Sequence, residues 1–311
     1  MALLGKTSLD VFPLCLGGNV FGWTADRDQS FAVLDAYAEA GGNFIDTADV
    51  YSAWVPGHVG GESETIIGEW MAARSNRARM VIATKVGHHD GPSRGLRAST
   101  IREGVEGSLR RLRTDYIDLY YAHVDDPATD MHETVRAFDA LVREGKVRHL
   151  GASNYPTARL SEAIGIAKFE TMARYDVIQP HYNLMERRPY EDDLSIMALR
   201  EQLACVPYFA LAKGFLTGKY RPGGRVDSAR AEGARAYLDD RGLRVLAALD
   251  TIAAAHQTTV AAVALAWLRD QPTVVAPIAS ARTVEQLRDL LPMATLALTG
   301  EERTLLHGAS V

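Results

Sequence analysis

Eight short apolar segments alternate with helical segments along the chain, and this alternation is the feature that most limits the possible fold. The apolar segments span residues 14–17, 43–46, 80–85, 117–121, 147–153, 177–179, 204–209 and 274–278. Near-continuous apolar runs of this kind are typical of strands that are buried on both faces of a parallel sheet. Eight successive strand–helix units therefore predict an α/β fold, the closed eight-stranded parallel (β/α)8 TIM barrel.

The chain of 311 residues is expected to form a single barrel domain over 1–311, with a short N-terminal segment and a long loop near 213–236. A helix is predicted after each strand, for example over 194–203, and an additional helix over about 260–268 precedes the eighth strand. An open doubly wound sheet is the alternative. When such a sheet binds a dinucleotide it usually carries Gly-x-Gly-x-x-Gly after its first strand, and this sequence has no such pattern.

Charge and cysteine content limit the partners and the compartment. The net charge of -5 argues against a nucleic acid or an anionic membrane as partner, since both favour a basic face. No run approaches the roughly 18 apolar residues of a membrane span, and we expect no signal peptide. The two cysteines, Cys15 and Cys205, lie in apolar strand-like runs and indicate buried thiols in a reducing compartment. A cytoplasmic location is therefore expected.

Three successive predicted strands each end in one ionisable side chain. Asp46 ends the second strand, Lys85 ends the third, and His123 follows the fourth, while Tyr51 comes a few residues after Asp46. Consecutive strands are neighbours in a parallel barrel, and active sites of such barrels lie at the C-terminal ends of the strands. We therefore expect these four side chains to meet at one rim.

These four side chains suit proton donation to a carbonyl oxygen. An adjacent Lys85 ammonium is expected to lower the pKa of the Tyr51 phenol, and Asp46 is expected to keep the buried lysine charged. His123 can hydrogen-bond a substrate oxygen or relay a proton. Because the protein has no hydride source of its own, carbonyl reduction would need a nicotinamide cofactor.

The chain contains, in this order, Asn43-Phe-Ile-Asp-Thr-Ala-Asp-Val-Tyr51, Gly61-Glu-Ser-Glu64, Ala83-Thr-Lys85, Asp115-Tyr-Ile-Asp-Leu-Tyr-Tyr-Ala-His123, Gly151-Ala-Ser-Asn154, Gln179 with Tyr182-Asn-Leu184, and Gly214-Phe-Leu-Thr-Gly-Lys-Tyr220. In these seven stretches, across almost its whole length, the chain resembles the aldo-keto reductase superfamily. The resemblance implies NADPH-dependent reduction of a small-molecule aldehyde or ketone, with Asp46, Tyr51, Lys85 and His123 as the catalytic tetrad and Tyr51 as general acid.

The same resemblance implies a set of cofactor contacts. Ser153, Asn154 and Gln179 match residues that bind the nicotinamide carboxamide, and Tyr208 matches the aromatic residue that stacks on its ring. The segment 211–219 matches the pyrophosphate-covering segment, with contacts from Leu211, Gly214, Leu216, Gly218 and Lys219. Ser280, Arg282 and Gln286 match the adenosine end. Arg282 is the candidate partner of a 2′-phosphate, which favours NADPH, with NADH as the alternative donor.

Two positions depart from the family pattern. The segment Tyr208-Phe-Ala-Leu-Ala lacks the Ser-Pro pair that is common after the aromatic residue, so backbone contacts are expected there. Leu290 follows Asp289 where the family often has asparagine, which affects the recognition of adenine.

The sequence leaves alternative roles open for several residues. Ser153 and Asn154 could cap a helix; Trp23 and Trp54 either line a substrate pocket or pack on the barrel rim. The arginines of 213–236 either cover the pyrophosphate or form a charged surface. His88-His89-Asp90 is expected to be a solvated turn, so no metal site is predicted.

The protein could be a monomer or a small homo-oligomer. The functional alternative is a nicotinamide-binding, redox-sensing accessory subunit, because potassium-channel β subunits resemble this family.

Overall fold

The computed structural model describes residues 1–90 and 94–311, and eight parallel strands form its central sheet. Two short strands precede them and pair antiparallel as a hairpin: β1 (Ala2–Leu3) and β2 (Asp10–Val11). The strands of the central sheet are β3 (Cys15–Gly17), β4 (Phe44–Asp46), β5 (Val81–Val86), β6 (Ile117–Ala122), β7 (Val147–Ser153), β8 (Tyr175–Gln179), β9 (Ala204–Cys205) and β10 (Ile278–Ala279).

The sheet closes on itself. Its strand order is β10-β3-β4-β5-β6-β7-β8-β9, so each strand pairs with the next along the chain and β10 pairs with β3. The remaining gap is bridged by backbone hydrogen bonds from Cys205 N to Thr273 O (2.8 Å) and from Val275 N to Cys205 O (2.9 Å). The predicted (β/α)8 barrel is thereby confirmed.

Helices surround the barrel. They are α1 (Arg27–Glu39), α2 (Glu62–Arg74), α3 (Ala98–Leu112), α4 (Met131–Arg143), α5 (Thr157–Phe169), α6 (Arg188–Glu191), α7 (Leu194–Glu201), α8 (Ala231–Arg235), α9 (Asp240–Ala255), α10 (Val260–Arg269), α11 (Val284–Leu290) and α12 (Gly300–Ser310). Side-chain caps fix the N-terminal ends of several helices. The Asp26 carboxylate accepts from Gln29 N ahead of α1, and Thr299 forms a capping box with Glu302 ahead of α12.

The barrel interior is apolar, and the N-terminal hairpin lies against one end of it. Leu4, Leu9 and Val11 join one buried cluster with barrel residues such as Phe44 and Leu119. A larger cluster fills the space between the strands and the helices. Both thiols are buried, as predicted. The opposite, C-terminal rim is left for polar side chains.

Some predicted boundaries were wrong. The seventh and eighth strands were predicted over 204–209 and 274–278, but their regular parts are Ala204–Cys205 and Ile278–Ala279. Pro207 and Pro277 have no amide N–H to continue a ladder. The helix predicted over 194–203 is α7 (Leu194–Glu201), whereas α6, α12 and the hairpin strands were missed.

Within 213–236, the chain forms a 3₁₀ segment over Ala212–Thr217 and then the short helix α8. In the described ranges no single helix is both long and apolar enough to cross a membrane. Helices α9 and α10 satisfy that test only when counted together across a bend of 100°.

Candidate active site

The barrel register brings the four predicted catalytic side chains together at the C-terminal rim. Asp46 is the last residue of β4, Lys85 lies near the end of β5, and His123 directly follows β6. Tyr51 comes from the turn after β4, where its backbone N–H donates to Ala48 O (3.2 Å). Residues far apart in sequence thus converge because parallel strands end at the same edge.

Lys85 is the centre of this arrangement. Its ammonium Nζ donates to Asp46 Oδ2 (2.7 Å), to the backbone oxygen of Thr47 (2.7 Å) and to Tyr51 Oη (2.9 Å). The lysine side chain is fully buried, and Asp46 is almost so. Burial alone would lower the pKa of Lys85, but Asp46 and Tyr51 together raise it above its ordinary value. A charged lysine at this position is therefore stabilised by its partners, as expected.

The pKa of Tyr51 is shifted in the direction opposite to the one expected from the sequence. Lys85 does act to lower it, but the burial of the phenol outweighs the ammonium and raises the pKa of Tyr51 to about 12. The phenol Oη also donates to Asp46 Oδ2 (3.3 Å), a contact that favours the protonated form. Tyr51 is consequently a neutral phenol at pH 7 that holds its proton beside a lysine.

His123 is neutral at pH 7. Burial lowers the pKa of its imidazole well below the ordinary range, and Lys85, His88 and His89 lower it further. Its ring lies 6.2 Å from the Tyr51 ring, measured between centroids, and 4.9 Å from that of His88. Among the described residues its Nδ1 atom is buried without a hydrogen-bond partner. A neutral imidazole beside the phenol has one N–H to donate to a substrate oxygen.

A hydrogen-bonded network links Asp46 on β4 with residues at the ends of β8 and β7. Gln179 Nε2 donates to Asp46 Oδ1 (2.8 Å), and Ser153 Oγ donates to Gln179 O (2.8 Å). Asn154 Nδ2 donates to His123 O (3.0 Å), and Tyr208 Oη donates to Asn154 Oδ1 (2.8 Å). In this structure these side chains bind one another, which orients them toward the rim.

The rim opens into one cavity of about 890 Å³. This volume is near the upper end of the roughly 300–1,000 Å³ of small-molecule sites. Asp46, Tyr51 and His123 line it, whereas Lys85 lies beneath, with no exposed surface. The other predicted contact residues that line it are Trp23, Trp54, Ser153, Asn154, Gln179, Tyr208, Leu211, Gly214, Lys219, Ser280, Arg282 and Gln286.

The two tryptophans form an aromatic wall near Tyr51. Trp23 and Trp54 meet edge to face with centroids 5.4 Å apart, and Trp54 lies 6.1 Å from the Tyr51 ring. Trp54 is 49% exposed, so a large apolar surface is left open at the cavity mouth. This surface could cover a flat apolar molecule.

The other end of the cavity is basic. Burial lowers the pKa of Lys219, and the neighbouring Arg282 and Arg230 lower it further, so three cations lie close together. Lys213 and Gly214 have positive φ angles of 58° and 97°, which curve the backbone around this end. Concave backbone with nearby cations is a setting in which phosphate groups bind. The volume of about 890 Å³, with a group of cations and a phenol in the lining, is sufficient for a dinucleotide together with a small substrate.

Ser280 and Gln286 also make contacts within the protein. Ser280 Oγ donates to Asn19 Oδ1 (2.7 Å), which links the loops after β10 and β3. Gln286 Oε1 accepts from the backbone N–H of Arg282 (3.0 Å) and so fixes the start of α11. These contacts hold the loop that carries Arg282 at the cavity edge.

Two predicted contact residues do not line the cavity. Leu216 is fully buried in the apolar core, and Gly218 has a φ of 79° that turns the chain after the 3₁₀ segment. Sequence reasoning missed Asn19 and His88, which do line the cavity. Their signal was only a position in a loop directly after a strand. Among the described residues no group of three or more His, Cys, Asp or Glu could hold a metal ion.

Comparison with known proteins gives consistent matches over this whole arrangement. The model of the aldo/keto reductase family matches residues 13–309. An uncharacterized oxidoreductase, YrpG, of Bacillus subtilis is 36% identical over 98% of this chain and 94% of its own length. Norsolorinic acid reductase B of Aspergillus parasiticus is 33% identical over 97% of the chain and 81% of its own length. An aryl-alcohol dehydrogenase of Pestalotiopsis microspora is 31% identical over 96% of the chain and 79% of its own length.

Proposed function

The chain belongs to the aldo/keto reductase family of NAD(P)H-dependent oxidoreductases, and from that premise we propose that it is an NADPH-dependent reductase of aldehydes or ketones. The observation that carries the proposal is the contact between Tyr51 Oη and Lys85 Nζ at 2.9 Å, with Asp46 at 2.7 Å from the same ammonium. Tyr51 and Asp46 line a cavity of sufficient volume for cofactor and substrate together, and Lys85 lies beneath them.

In the proposed reaction Tyr51 is the general acid. When bound, the reduced nicotinamide supplies the hydride that adds to the carbonyl carbon. Tyr51 Oη donates its proton to the carbonyl oxygen as negative charge develops there. The Lys85 ammonium stabilises the phenolate that remains, and Asp46 keeps Lys85 charged. The neutral His123 imidazole donates a second hydrogen bond to the same oxygen.

Other side chains are proposed to hold the cofactor. Gln179, Ser153 and Asn154 offer amide and hydroxyl groups for a carboxamide, and the half-buried Tyr208 ring offers a stacking surface. Lys219 and Arg282 would bind phosphate oxygens at the basic end. Because Leu216 and Gly218 lie outside the cavity lining, we leave them out of the proposed contacts.

We propose aromatic carbonyl compounds as the substrate class. The wall formed by Trp23 and Trp54 suits a flat ring beside Tyr51. The names of two relatives, a norsolorinic acid reductase and an aryl-alcohol dehydrogenase, are consistent with this class.

The cofactor assignment is tested by titrating the protein with NADPH and, separately, with NADH while following tryptophan fluorescence. We expect quenching that saturates at lower NADPH than NADH concentrations, because Arg282 can bind a 2′-phosphate. Arg282→Gln should weaken the binding of NADPH by about 10-fold or more, because a hydrogen bond to a charged group contributes that much. The affinity for NADH should be nearly unchanged.

Arg288→Gln is the matched control. Arg288 is an exposed residue of α11 and does not line the cavity. Equal affinity of the wild type for both dinucleotides would contradict the Arg282 assignment. Tight NADPH binding without turnover of any carbonyl compound would favour the accessory-subunit function instead.

The pH dependence of reduction follows from the raised pKa of Tyr51. A raised pKa means that the proton-donating form is present below it and is lost as the pH rises through about 12. We therefore expect kcat for reduction, at saturating NADPH, to stay flat to about pH 10, where an unperturbed phenol would already be about half ionised. Circular dichroism at each pH controls for unfolding. A fall centred below about pH 9 would mean that the catalytic acid has a lower pKa than Tyr51 has here.

A further inference from the structure

The outer face of α5 carries the most exposed large apolar side chain among the described residues. Phe169 is the last residue of this helix, and 89% of its surface is exposed to water. The opposite face of α5 is buried against the barrel. Exposing a whole aromatic ring to water costs free energy that contact with another molecule would recover.

Phe169 is not isolated. The neighbouring helix α7 is joined to α5 by the ion pair of Lys168 and Glu201. On its outer side α7 exposes 65% of Ile196 and 55% of Leu199, and these two residues are one helical turn apart. The outer sides of the two helices, with these three large apolar side chains, are called the α5–α7 face below. Clustered apolar side chains of this kind mark interaction sites more often than single ones do.

The shape of α5 suits the close approach of a second helix. Positions 158, 162, 165 and 169 follow one another at spacings of four, three and four residues, so they form one stripe along the outer side. Two of these positions are small, Ala158 and Gly165, and the adjacent Ser161 is also small and exposed. A Cβ atom added at Gly165 would meet nothing within 4 Å. A second helix can therefore pack close to this side of α5.

The charges of this stripe are complementary to themselves. Gly165 lies three residues after Glu162 and three residues before Lys168. When two copies of α5 pack antiparallel about a two-fold axis at Gly165, Glu162 of each copy is level with Lys168 of the other. Both side chains are about half exposed, 49% for Glu162 and 54% for Lys168, so each can take a further partner besides its own Arg159 or Glu201.

The same symmetry gives the exposed ring a place to pack. In the antiparallel pair, Phe169 of each copy lies against the small residues Ala158 and Ser161 of the other. A stable dimer buries about 800 Å² on each partner, which is more than one helix face supplies. Ile196 and Leu199 on the neighbouring helix extend the apolar surface beyond α5.

We propose that a second copy of this chain covers the α5–α7 face, so that the protein is a homodimer with antiparallel α5 helices at its two-fold axis. Such a contact uses the same surface on both copies and closes on itself. Phe169 is followed within a few residues by the start of β8, so it lies toward the barrel end opposite the cavity. Both cavities of the dimer therefore remain open.

Sedimentation equilibrium over about 1 to 100 μM protein tests the proposal. The wild type should have about twice the 33.9 kDa mass of the chain. Phe169→Lys should weaken dimerisation by about 100-fold or more, because a charge replaces the central apolar anchor on both copies. Circular dichroism checks that this variant is folded. Val59→Lys is the matched control, since Val59 is 83% exposed in the loop after β4 and should not affect the mass.

A charge exchange tests the antiparallel arrangement itself. Glu162→Lys brings lysines of the two copies level with each other, and Lys168→Glu does the same with carboxylates, so each single variant should weaken dimerisation. The double variant Glu162→Lys with Lys168→Glu restores opposite charges across the axis and should regain most of the lost affinity.

Three outcomes would overturn the proposal. A wild type with the mass of one chain at every concentration would mean that no second copy covers the face. A dimer that persists in Phe169→Lys would place the interface elsewhere on the molecule. A double charge variant that dimerises no better than its two single variants would exclude the antiparallel pairing of α5.

Discussion

Replacing Tyr51 with phenylalanine will lower the rate of carbonyl reduction by about 10²- to 10⁴-fold, the usual contribution of a general acid. The substitution removes only the hydroxyl that lies 2.9 Å from Lys85 Nζ and keeps the ring that contacts Trp54. The affinity for NADPH should stay within about twofold, because no phosphate or carboxamide contact is assigned to this phenol. The measurements are steady-state reduction of an aromatic aldehyde and a fluorescence titration with NADPH.

Tyr116 provides the matched control. Its ring packs against the guanidinium groups of Arg77 and Arg148 at the start of β6, the end of the barrel opposite the cavity. Tyr116→Phe removes a hydroxyl there and should leave the reduction rate unchanged. A Tyr51→Phe protein that reduces the aldehyde at the wild-type rate would eliminate Tyr51 as the acid. Joint loss of activity and NADPH binding would point to a misfolded site.

Replacing Lys85 with methionine will abolish reduction and destabilise the fold by about 3–5 kcal/mol, the usual cost of leaving one partner of a buried ion pair alone. The Asp46 carboxylate would lose its ammonium partner at 2.7 Å while remaining buried, with only Gln179 and Tyr51 to bind it. Urea denaturation of the variant gives the change in the free energy of unfolding.

The double variant Asp46→Asn with Lys85→Met tests the cause of that destabilisation. With both charges removed, much of the lost stability should return, although reduction should stay absent. The exposed pair of Arg102 and Glu144 supplies a control, since Arg102→Met should leave the free energy of unfolding nearly unchanged. A Lys85→Met protein as stable as the wild type would show that the Asp46 carboxylate is not held as a buried anion.

Much of the fold was predictable because local chemistry and tertiary structure agree. Strand β7 was predicted over 147–153 and is observed over Val147–Ser153, since this segment contains no proline and only one glycine before its end. The C-terminal helix α12 was missed. Few of its side chains are buried, so its capping box carried more information than its apolar pattern. The hairpin was missed because strands of two residues leave almost no periodicity.

The candidate site also has features that the sequence predicts and features that it does not. The sequence placed Asp46, Lys85 and His123 at the ends of successive strands, and parallel pairing of neighbouring strands then requires them to meet. The sign of the net pKa shift of Tyr51 could not be read from the sequence. It depends on how completely the phenol is buried relative to its distance from Lys85, and both quantities exist only in the folded chain.

By itself, the sequence determined the barrel, the order of its strands and the family, because apolar periodicity and strand-end residues act over short stretches of chain. Only the tertiary structure decided that Arg230, in a long loop, lies beside Trp23 and near Tyr51, and that Leu216 and Gly218 are outside the cavity lining. The physical reason is that a loop's position depends on contacts with residues hundreds of positions away, whereas a buried strand is specified by its own side chains.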